Sequence, residues 1–318
     1  MTLSINRRQL LKGVLASGGA VTGALATSAM AEEHPAHPVA PPDAVGMLYD
    51  NTICTGCRAC MTACSETNGL PPETLCPIDP AISTGLWDVP ADLDSKTKNI
   101  IKLYREPSSS QFAFVKRQCM HCLDPACVTG CPFGALKKNE WGAVTWNSSR
   151  CIGCRYCEVG CPFDVPKFQW NNWNPKVVKC EFCFDQRLKK NREPACTAVC
   201  PTQAVIFGKR SDLLAKAKVR IADAPGKYFE DRVYGENEAG GTQVLYLSSV
   251  SFQKIGLPKL GNTSLGHYAT KVSSVIYKWL WGPMLAAGIL GAVIKRNWKR
   301  HEAEAAEIEK KTLLPEQL

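Results

Sequence analysis

Cysteines dominate the chemistry that this sequence of 318 residues can support, because it contains 17 of them. Sixteen fall into four compact groups, which are Cys54, Cys57, Cys60 and Cys64; Cys119, Cys122, Cys127 and Cys131; Cys151, Cys154, Cys157 and Cys161; and Cys180, Cys183, Cys196 and Cys200. Disulfide frameworks scatter their half-cystines, whereas tight sets of four thiolates are typical of metal sites. Cys76 stands outside the groups and is not expected to be a ligand.

The spacing within the groups indicates iron–sulfur chemistry. The first and third groups have the C-x-x-C-x-x-C-x-x-x-C pattern of bacterial ferredoxins. Three thiolates with two residues between them can approach one 4Fe-4S cubane, while the fourth points toward a second cubane. The second and fourth groups widen one gap, and the last three groups end in C-x-x-x-C-P, where proline forms a turn. The sixteen cysteines therefore predict four 4Fe-4S clusters that share ligands between groups.

Zinc is the main alternative, since paired C-x-x-C motifs also bind zinc. Zinc sites, however, give no reason for the C-x-x-x-C-P endings. Covalent haem attachment is excluded because no C-x-x-C here is followed by histidine. His121, between two cysteines of the second group, is expected to support a site without binding iron.

The formal charge of +9 does not indicate nucleic-acid binding. Three of the basic residues lie in an N-terminal segment that is expected to be removed, and no run of Lys and Arg is interleaved with aromatic residues. Arg58, Arg117 and Arg155 instead lie near cysteine groups and are expected to offset the negative charge of thiolate-bound clusters.

The N-terminus is predicted to direct export. Arg7 and Arg8 precede a modest apolar stretch, and Ala29-Met30-Ala31 forms an A-x-A cleavage site, so residues 1–31 are predicted to be a twin-arginine (Tat) signal peptide. This route suits a protein that must fold around a cofactor before it crosses a membrane. Residues 32–46 are predicted to be a proline-rich linker.

Residues 47–210 are predicted to form a ferredoxin-like domain that holds the clusters. Short apolar segments at 100–104 and 112–116 flank a Pro-Ser-Ser-Ser turn and predict a hairpin, and residues 143–146 predict a further strand. Residues 211–271 are expected to extend the same domain, with a helix capped by Ser211 and a strand at 243–248. The predicted fold class is α+β, with two pseudo-symmetric bacterial-ferredoxin-like modules of two clusters each and a C-terminal transmembrane helix.

Residues 272–294 are predicted to be that single transmembrane helix. The stretch is apolar except for Lys278, and about 20 such residues can span a bilayer. Trp279 and Trp281 suit one membrane interface, and the basic residues after Ile294 mark the other side as cytoplasmic. Residues 295–318 are therefore expected to be a cytoplasmic tail, and the body is expected on the periplasmic face of the cytoplasmic membrane.

The motifs resemble the four-cluster beta subunits of membrane-bound respiratory oxidoreductases, and within them the HybA-type subunits of hydrogenase-2 class nickel–iron hydrogenases. The resemblance extends over nearly the whole chain. It rests on these segments: Gly46 to Asp50, Lys116 to Cys122, Cys154 to Cys157, Cys161 to Lys167, and Gly240 to Leu245.

The resemblance implies that the first group exchanges ligands with the fourth, and the second with the third. The implied cluster ligands are Cys54, Cys57, Cys60 and Cys200; Cys180, Cys183, Cys196 and Cys64; Cys119, Cys122, Cys127 and Cys161; and Cys151, Cys154, Cys157 and Cys131.

The resemblance also implies a function in respiration. The chain would be a non-catalytic subunit that passes electrons from the small subunit of a nickel–iron hydrogenase, partnered by its large subunit, to an integral membrane subunit that handles quinone. One alternative is the beta subunit of a molybdopterin enzyme such as formate dehydrogenase, although the chain's own export signal weighs against it. A zinc-binding scaffold and an independent reductase are alternatives of other classes.

Overall fold

The protein is described by a computed structural model that covers residues 37–71, 86–87, 92–106, 110–170, 172–173 and 175–312. The predicted signal peptide, part of the linker and Cys76 lie outside these residues. The chain divides into two compact units, of which one ends at Thr270 and the other contains the C-terminal helix from Lys271 onward.

The described part of the first unit contains ten short strands. In chain order the described strands are β1 (Val45–Asp50), β2 (Leu86–Trp87), β3 (Ile100–Arg105), β4 (Phe112–Arg117), β5 (Leu136–Lys138), β6 (Val144–Trp146), β7 (Lys167–Phe168), β8 (Val177–Val178), β9 (Val205–Lys209) and β10 (Val244–Leu247).

A three-stranded sheet joins the beginning and the end of this unit. β1 lies between β10, to which it is parallel, and β9, to which it is antiparallel. In this register Met47 is opposite both Val244 and Phe207. β10 confirms the strand predicted at 243–248, and all four of its residues are buried. The segment after residue 210 is thus part of the same folded unit as β1.

The remaining strands form small antiparallel sheets beside the cysteine loops. β3 and β4 pair with Leu103 opposite Phe114, which confirms the predicted hairpin, and β2 adds to the edge of β3. β5 pairs with β6, which confirms the strand predicted at 143–146, and β7 pairs with β8.

Helices connect the cysteine loops to these sheets. The described α-helices are α1 (Ala59–Asn68), α2 (Ala126–Thr129), α3 (Tyr156–Val159), α4 (Ala195–Ala198), α5 (Arg210–Asp223) and α6 (Leu265–Thr312). The helix predicted after Gly208 is present as α5, but the predicted cap by Ser211 is wrong. The helix begins at Arg210, so Ser211 lies inside it and its hydroxyl contacts Asp212. The buried side chain of Arg210 donates to the carbonyl of Thr242 at 2.7 Å, which holds the start of the helix at that residue.

The largest core surrounds the thiols themselves. Its buried members include Cys60, Cys119, Cys180 and Cys196 together with large aromatic side chains such as Tyr246. A second core packs α5 against the central sheet, and a third surrounds Cys127 and Cys157. The cysteine loops therefore depend on the same apolar packing that stabilises the fold.

α6 contains the segment 272–294 that was predicted to cross a membrane. The helix continues without interruption through residues predicted to form a separate tail, and it contains Pro283. Side chains of residues 272–281 lie outside the described set. Among the described residues, no helix has the length and apolar character needed to traverse a bilayer.

Candidate iron–sulfur centres

The sixteen grouped cysteines come together as four sets of thiols, each with three members from one sequence group and one from another. We name them site 1 (Cys54, Cys57, Cys60, Cys200), site 2 (Cys64, Cys180, Cys183, Cys196), site 3 (Cys119, Cys122, Cys127, Cys161) and site 4 (Cys131, Cys151, Cys154, Cys157). The exchange of one cysteine between groups is the pattern that the family resemblance implied.

Cavities mark sites 1 and 4 directly. All four thiol-bearing residues of site 1 line one cavity, together with Tyr49 and Lys116. All four residues of site 4 line another, together with Trp146, Arg155 and apolar side chains. Among the described residues, no three His, Cys, Asp or Glu side chains converge on a point that would hold a single metal ion.

Sites 2 and 3 are identified by the electrostatic effect of each thiol on its neighbours. Burial raises the pKa of the Cys180 thiol well above its usual range, and the other members of site 2 raise it further. Burial likewise raises the pKa of Cys122, with added contributions from Cys161, Cys127 and Cys119 of site 3. The thiols within each set therefore lie close enough to act on one another, and iron binding would require them to lose their protons.

Left-handed backbone shapes the loops of the first and third groups. Gly56 and Arg58 have φ of 69° and 61°, and Gly153 and Arg155, at the corresponding positions, have 75° and 65°. Residues in this conformation turn successive N–H groups toward one side, which creates a concave site for an anionic group. The loop conformation therefore suits a thiolate-bound cluster.

Gly56→Ala should disrupt site 1 more than Gly153→Ala disrupts site 4. Both substitutions place a side chain in the left-handed backbone region, which costs about 1–2 kcal/mol. A methyl group on Gly56 would also lie 2.3 Å from the ring of Phe114, whereas one on Gly153 would lie 3.3 Å from Pro175. We expect Gly56→Ala to lose about four iron ions per chain and Gly153→Ala to retain its iron, by iron analysis of the purified protein. Equal iron contents would contradict this steric explanation.

The C-P endings share one turn that presents the last thiol. The third residue after each of these cysteines, namely Gly134, Asp164 or Gln203, has positive φ and donates its N–H back to the cysteine carbonyl at 3.1–3.2 Å. The N–H of Ala135 then donates to Cys131 Sγ at 3.2 Å. Main-chain donors from Val165 and Phe163 similarly lower the pKa of Cys161, although burial outweighs them and the net pKa is raised to about 11.

Several buried N–H donors beside the thiols have no partner within the described residues. They are Nε1 of Trp146 and Nε of Arg155 at the site 4 cavity, and Nε2 of His121, a residue that lies between two site 3 cysteines in the sequence. His121 Nδ1 accepts the N–H of Val144, and burial lowers the pKa of the ring well below its usual value, so the proton resides on Nε2. Because buried donors are normally satisfied, these atoms fit an acceptor-rich cluster in the adjoining space.

Two buried lysines place positive charge between sites. Lys116 and Lys179 are 1% and 2% exposed. Burial alone lowers the pKa of Lys116, but the thiols of sites 1 and 2 together outweigh it and raise the pKa above its usual value. For Lys179, thiols of sites 2 and 3 together with the carboxylate of Glu181 outweigh burial and raise the pKa. An ammonium group is tolerated at such depth only when negative charge surrounds it.

The structure distributes the basic residues differently from the sequence prediction. Arg58 and Arg155 line cavities at sites 1 and 4, whereas Arg117 is directed to Asp92 and to the carbonyl of Phe163. His121 stacks on Phe182 with 3.7 Å between ring centroids. Sequence reasoning missed the two buried lysines, because lysines are usually exposed and nothing in their spacing indicates burial.

Comparisons with known proteins agree with these features. Residues 110–210 match the family described as a 4Fe-4S dicluster domain. The chain is 37% identical to the hydrogenase-2 operon protein HybA of Escherichia coli O157:H7, over 95% of this chain and 99% of that protein. It is 35% identical to the iron-sulfur subunit of the nitrate-inducible formate dehydrogenase of Escherichia coli strain K12, over 77% of this chain and 81% of that subunit. The chain therefore belongs to the HybA family of iron–sulfur electron-transfer subunits of oxidoreductase complexes, and it carries multiple 4Fe-4S clusters.

Proposed function

We propose that the chain holds four 4Fe-4S clusters, one at each of sites 1 to 4. The thiol sets, the two cavities and the unpartnered N–H donors support this number and this assignment of ligands. Each bound cluster would supply reversible one-electron transfer. The chain's own residues ligate iron through the thiolates, donate hydrogen bonds to sulfur and exclude water, and these effects set the reduction potentials.

The proposed electron path follows the order of sites 1, 2, 3 and 4. Neighbouring sites are joined by thiol pairs that interact electrostatically, namely Cys60 with Cys196, Cys119 with Cys180, and Cys127 with Cys157. The observation that carries the proposal is the contrast in exposure along this order. Cys57 of site 1 and Cys154 of site 4 are exposed, while all four cysteines of site 2 are buried. Such an arrangement lets the two ends exchange electrons with different partners while the interior remains insulated.

The proposed partners are the small and large subunits of a nickel–iron hydrogenase at one end and an integral membrane, quinone-reactive subunit at the other. In this role the chain relays electrons from hydrogen oxidation to quinone, and the transfer can run in either direction. The chain performs no catalysis itself. The near-complete alignment with HybA supports this choice. The similarity of this chain to formate dehydrogenase iron-sulfur subunits favours a molybdopterin enzyme as the second candidate partner.

The proposed location is the periplasmic face of the cytoplasmic membrane, reached by Tat export, with one C-terminal anchor and a cytoplasmic C-terminus. The twin arginines, the apolar sequence near residues 279–294 and the basic residues after it support this location. Large apolar side chains of α6, including Met284, Leu290 and Ile294, are also at least half exposed. Alkaline extraction of membranes tests the anchor, because a chain truncated after Lys271 should be released while the full chain stays in the membrane.

Co-purification after mild detergent extraction tests the partners. A nickel–iron large and small subunit eluting with the tagged chain would support the hydrogenase assignment. A molybdopterin subunit in their place would establish the second candidate. Iron and acid-labile sulfide near sixteen each per chain are expected from about four clusters, whereas zinc in their place would establish the scaffold alternative and overturn the proposal.

Cys154→Ser should interrupt the relay without damaging the partner's chemistry. The substitution removes an exposed ligand of site 4, so hydrogen-to-quinone electron flux should fall by at least about tenfold, while dye reduction by the hydrogenase core is unchanged. Both activities are measured on the same membrane preparation. Loss of both activities together would contradict a pure relay function.

A further inference from the structure

A side-chain amide lies against two thiols of site 2. Asn68 is the last residue of α1, and its Nδ2 lies 3.7 Å from Cys64 Sγ and 3.8 Å from Cys183 Sγ. The same nitrogen donates to the carbonyl of Cys64 at 2.8 Å. Cys64 and Cys183 come from different sequence groups, so one amide spans the point where the first and fourth groups meet.

The direction of this amide is fixed from its other end. Lys98 Nζ donates to Asn68 Oδ1 at 3.0 Å and lies 3.3 Å from Glu181 Oε2. The second carboxylate oxygen of Glu181 accepts the main-chain N–H of Trp146 at 2.8 Å. An ammonium group cannot accept a hydrogen bond, so Oδ1 must face Lys98 and the NH₂ group must face the thiols.

We propose that Asn68 raises the reduction potential of the cluster at site 2 and that Lys98 is the positioning residue that aims its amide. This inference rests on the proposed ligand set of site 2. Reduction adds negative charge to a thiolate-bound cluster, and an N–H donor at sulfur stabilises the more negative form. The effect is strong here because every thiol of site 2 is buried, where hydrogen bonds are screened less than in water.

Asn68→Leu keeps a side chain of similar size but removes the donor. In the full chain within its complex, EPR-monitored redox titration should place the site 2 midpoint lower. The expected change is about tenfold in the ratio of oxidised to reduced cluster at a fixed ambient potential, equal to about 59 mV for one electron. An unchanged midpoint with an intact cluster would overturn the inference.

Thr202→Val provides the matched control. Thr202 Oγ1 lies 3.9 Å from Cys200 Sγ of site 1, so this variant also removes a polar group beside a ligand. It should leave the site 2 midpoint unchanged, and Asn68→Leu should leave the site 1 midpoint unchanged. Iron content distinguishes a wrong ligand set at site 2 from a missing effect of Asn68. If the wild-type chain holds no cluster that depends on Cys64 and Cys183, the ligand set of site 2 is wrong. If Asn68→Leu retains that cluster and its midpoint does not move, only the proposed effect of Asn68 is wrong.

Lys98→Met tests the positioning step through a double-mutant comparison. In the native background it removes both a charge and the anchor of the amide, but in Asn68→Leu it removes the charge alone. The shift caused by Lys98→Met should therefore be smaller in the Asn68→Leu background. Equal shifts in the two backgrounds would show that Lys98 acts only by its charge and would overturn its positioning role. If Asn68→Leu fails to fold, Lys98→Met in the native background still tests the pair, because an unchanged site 2 midpoint would overturn the inference.

Discussion

Cys64→Ala is expected to remove the cluster of site 2 and to leave that of site 1 in place. Cys64 belongs by sequence to the first group, whose other members line the site 1 cavity. In the structure, however, burial is the largest cause that raises the pKa of Cys64, and the thiol that raises it further is that of Cys183. Cys64→Ala should therefore lose the same cluster as Cys183→Ala.

α1 explains why neighbouring cysteines serve different sites. Cys60 and Cys64 are both buried on this helix and lie one turn apart. A rise of about 6 Å over four residues separates the two residues along the helix axis, so each can face a different set of thiols. Cys60 interacts with Cys54, Cys57 and Cys200, which are the other members of site 1.

EPR spectroscopy of the reduced protein can sort single variants into classes. Each alanine variant should lose about four of about sixteen iron ions, so iron content alone cannot distinguish them. The EPR signal that is missing from each variant can distinguish them. Cys64→Ala and Cys183→Ala should lose one signal, and Cys57→Ala and Cys200→Ala should lose another. If Cys64→Ala instead matched Cys57→Ala, the exchange of ligands between the first and fourth groups would be wrong.

Local spacing made the cysteine loops predictable, whereas the pairing between them was not. The C-x-x-C loops and the C-P turns are determined by a few consecutive residues, so their patterns predict a cluster-binding fold. Which group supplies the fourth thiol depends on how distant segments pack, and spacing leaves that open. The family resemblance, not the spacing, supplied the pairing. β10 illustrates the same limit, since its sequence predicted a strand but not its parallel pairing with β1.

The charged groups around the sites were the least predictable part. Asn68 lies four residues after Cys64 on α1, so helical spacing could have placed it beside that thiol. Lys98 and Glu181 reach the same place from separate segments, and no local pattern joins them. Ser211 shows the opposite error, because a good capping residue was overridden by the burial of Arg210 next to it.

Lys116→Met is expected to lower the reduction potentials of the clusters at sites 1 and 2 together. Lys116 is buried at the end of β4, and its ammonium group donates to Asn99 Oδ1. Thiols of Cys196, Cys60, Cys64 and Cys180 act on its charge, so it serves two sites at once. Methionine preserves most of the side-chain volume while removing the positive charge.

The size of the shift follows from elementary electrostatics. A unit charge acting over about 7 Å at an effective dielectric constant of about 20 contributes roughly 2 kcal/mol. That energy corresponds to about 90 mV for one electron, and it lowers the potential because the lost charge stabilised the reduced form. Redox titration of the full complex should show both midpoints moving downward, with those of sites 3 and 4 changed much less.

Two further substitutions separate charge from burial. Lys116→Arg retains the charge and should keep both midpoints near their native values. Lys102→Met removes another buried ammonium group from the same hairpin, but that group lies 3.8 Å from Asp92, which also has Arg117 at 3.8 Å. Its loss should leave the midpoints of sites 1 and 2 unchanged. If Lys102→Met shifted them as far as Lys116→Met does, a general disturbance of the hairpin would be the cause, and the charge of Lys116 would have no specific effect on the two sites.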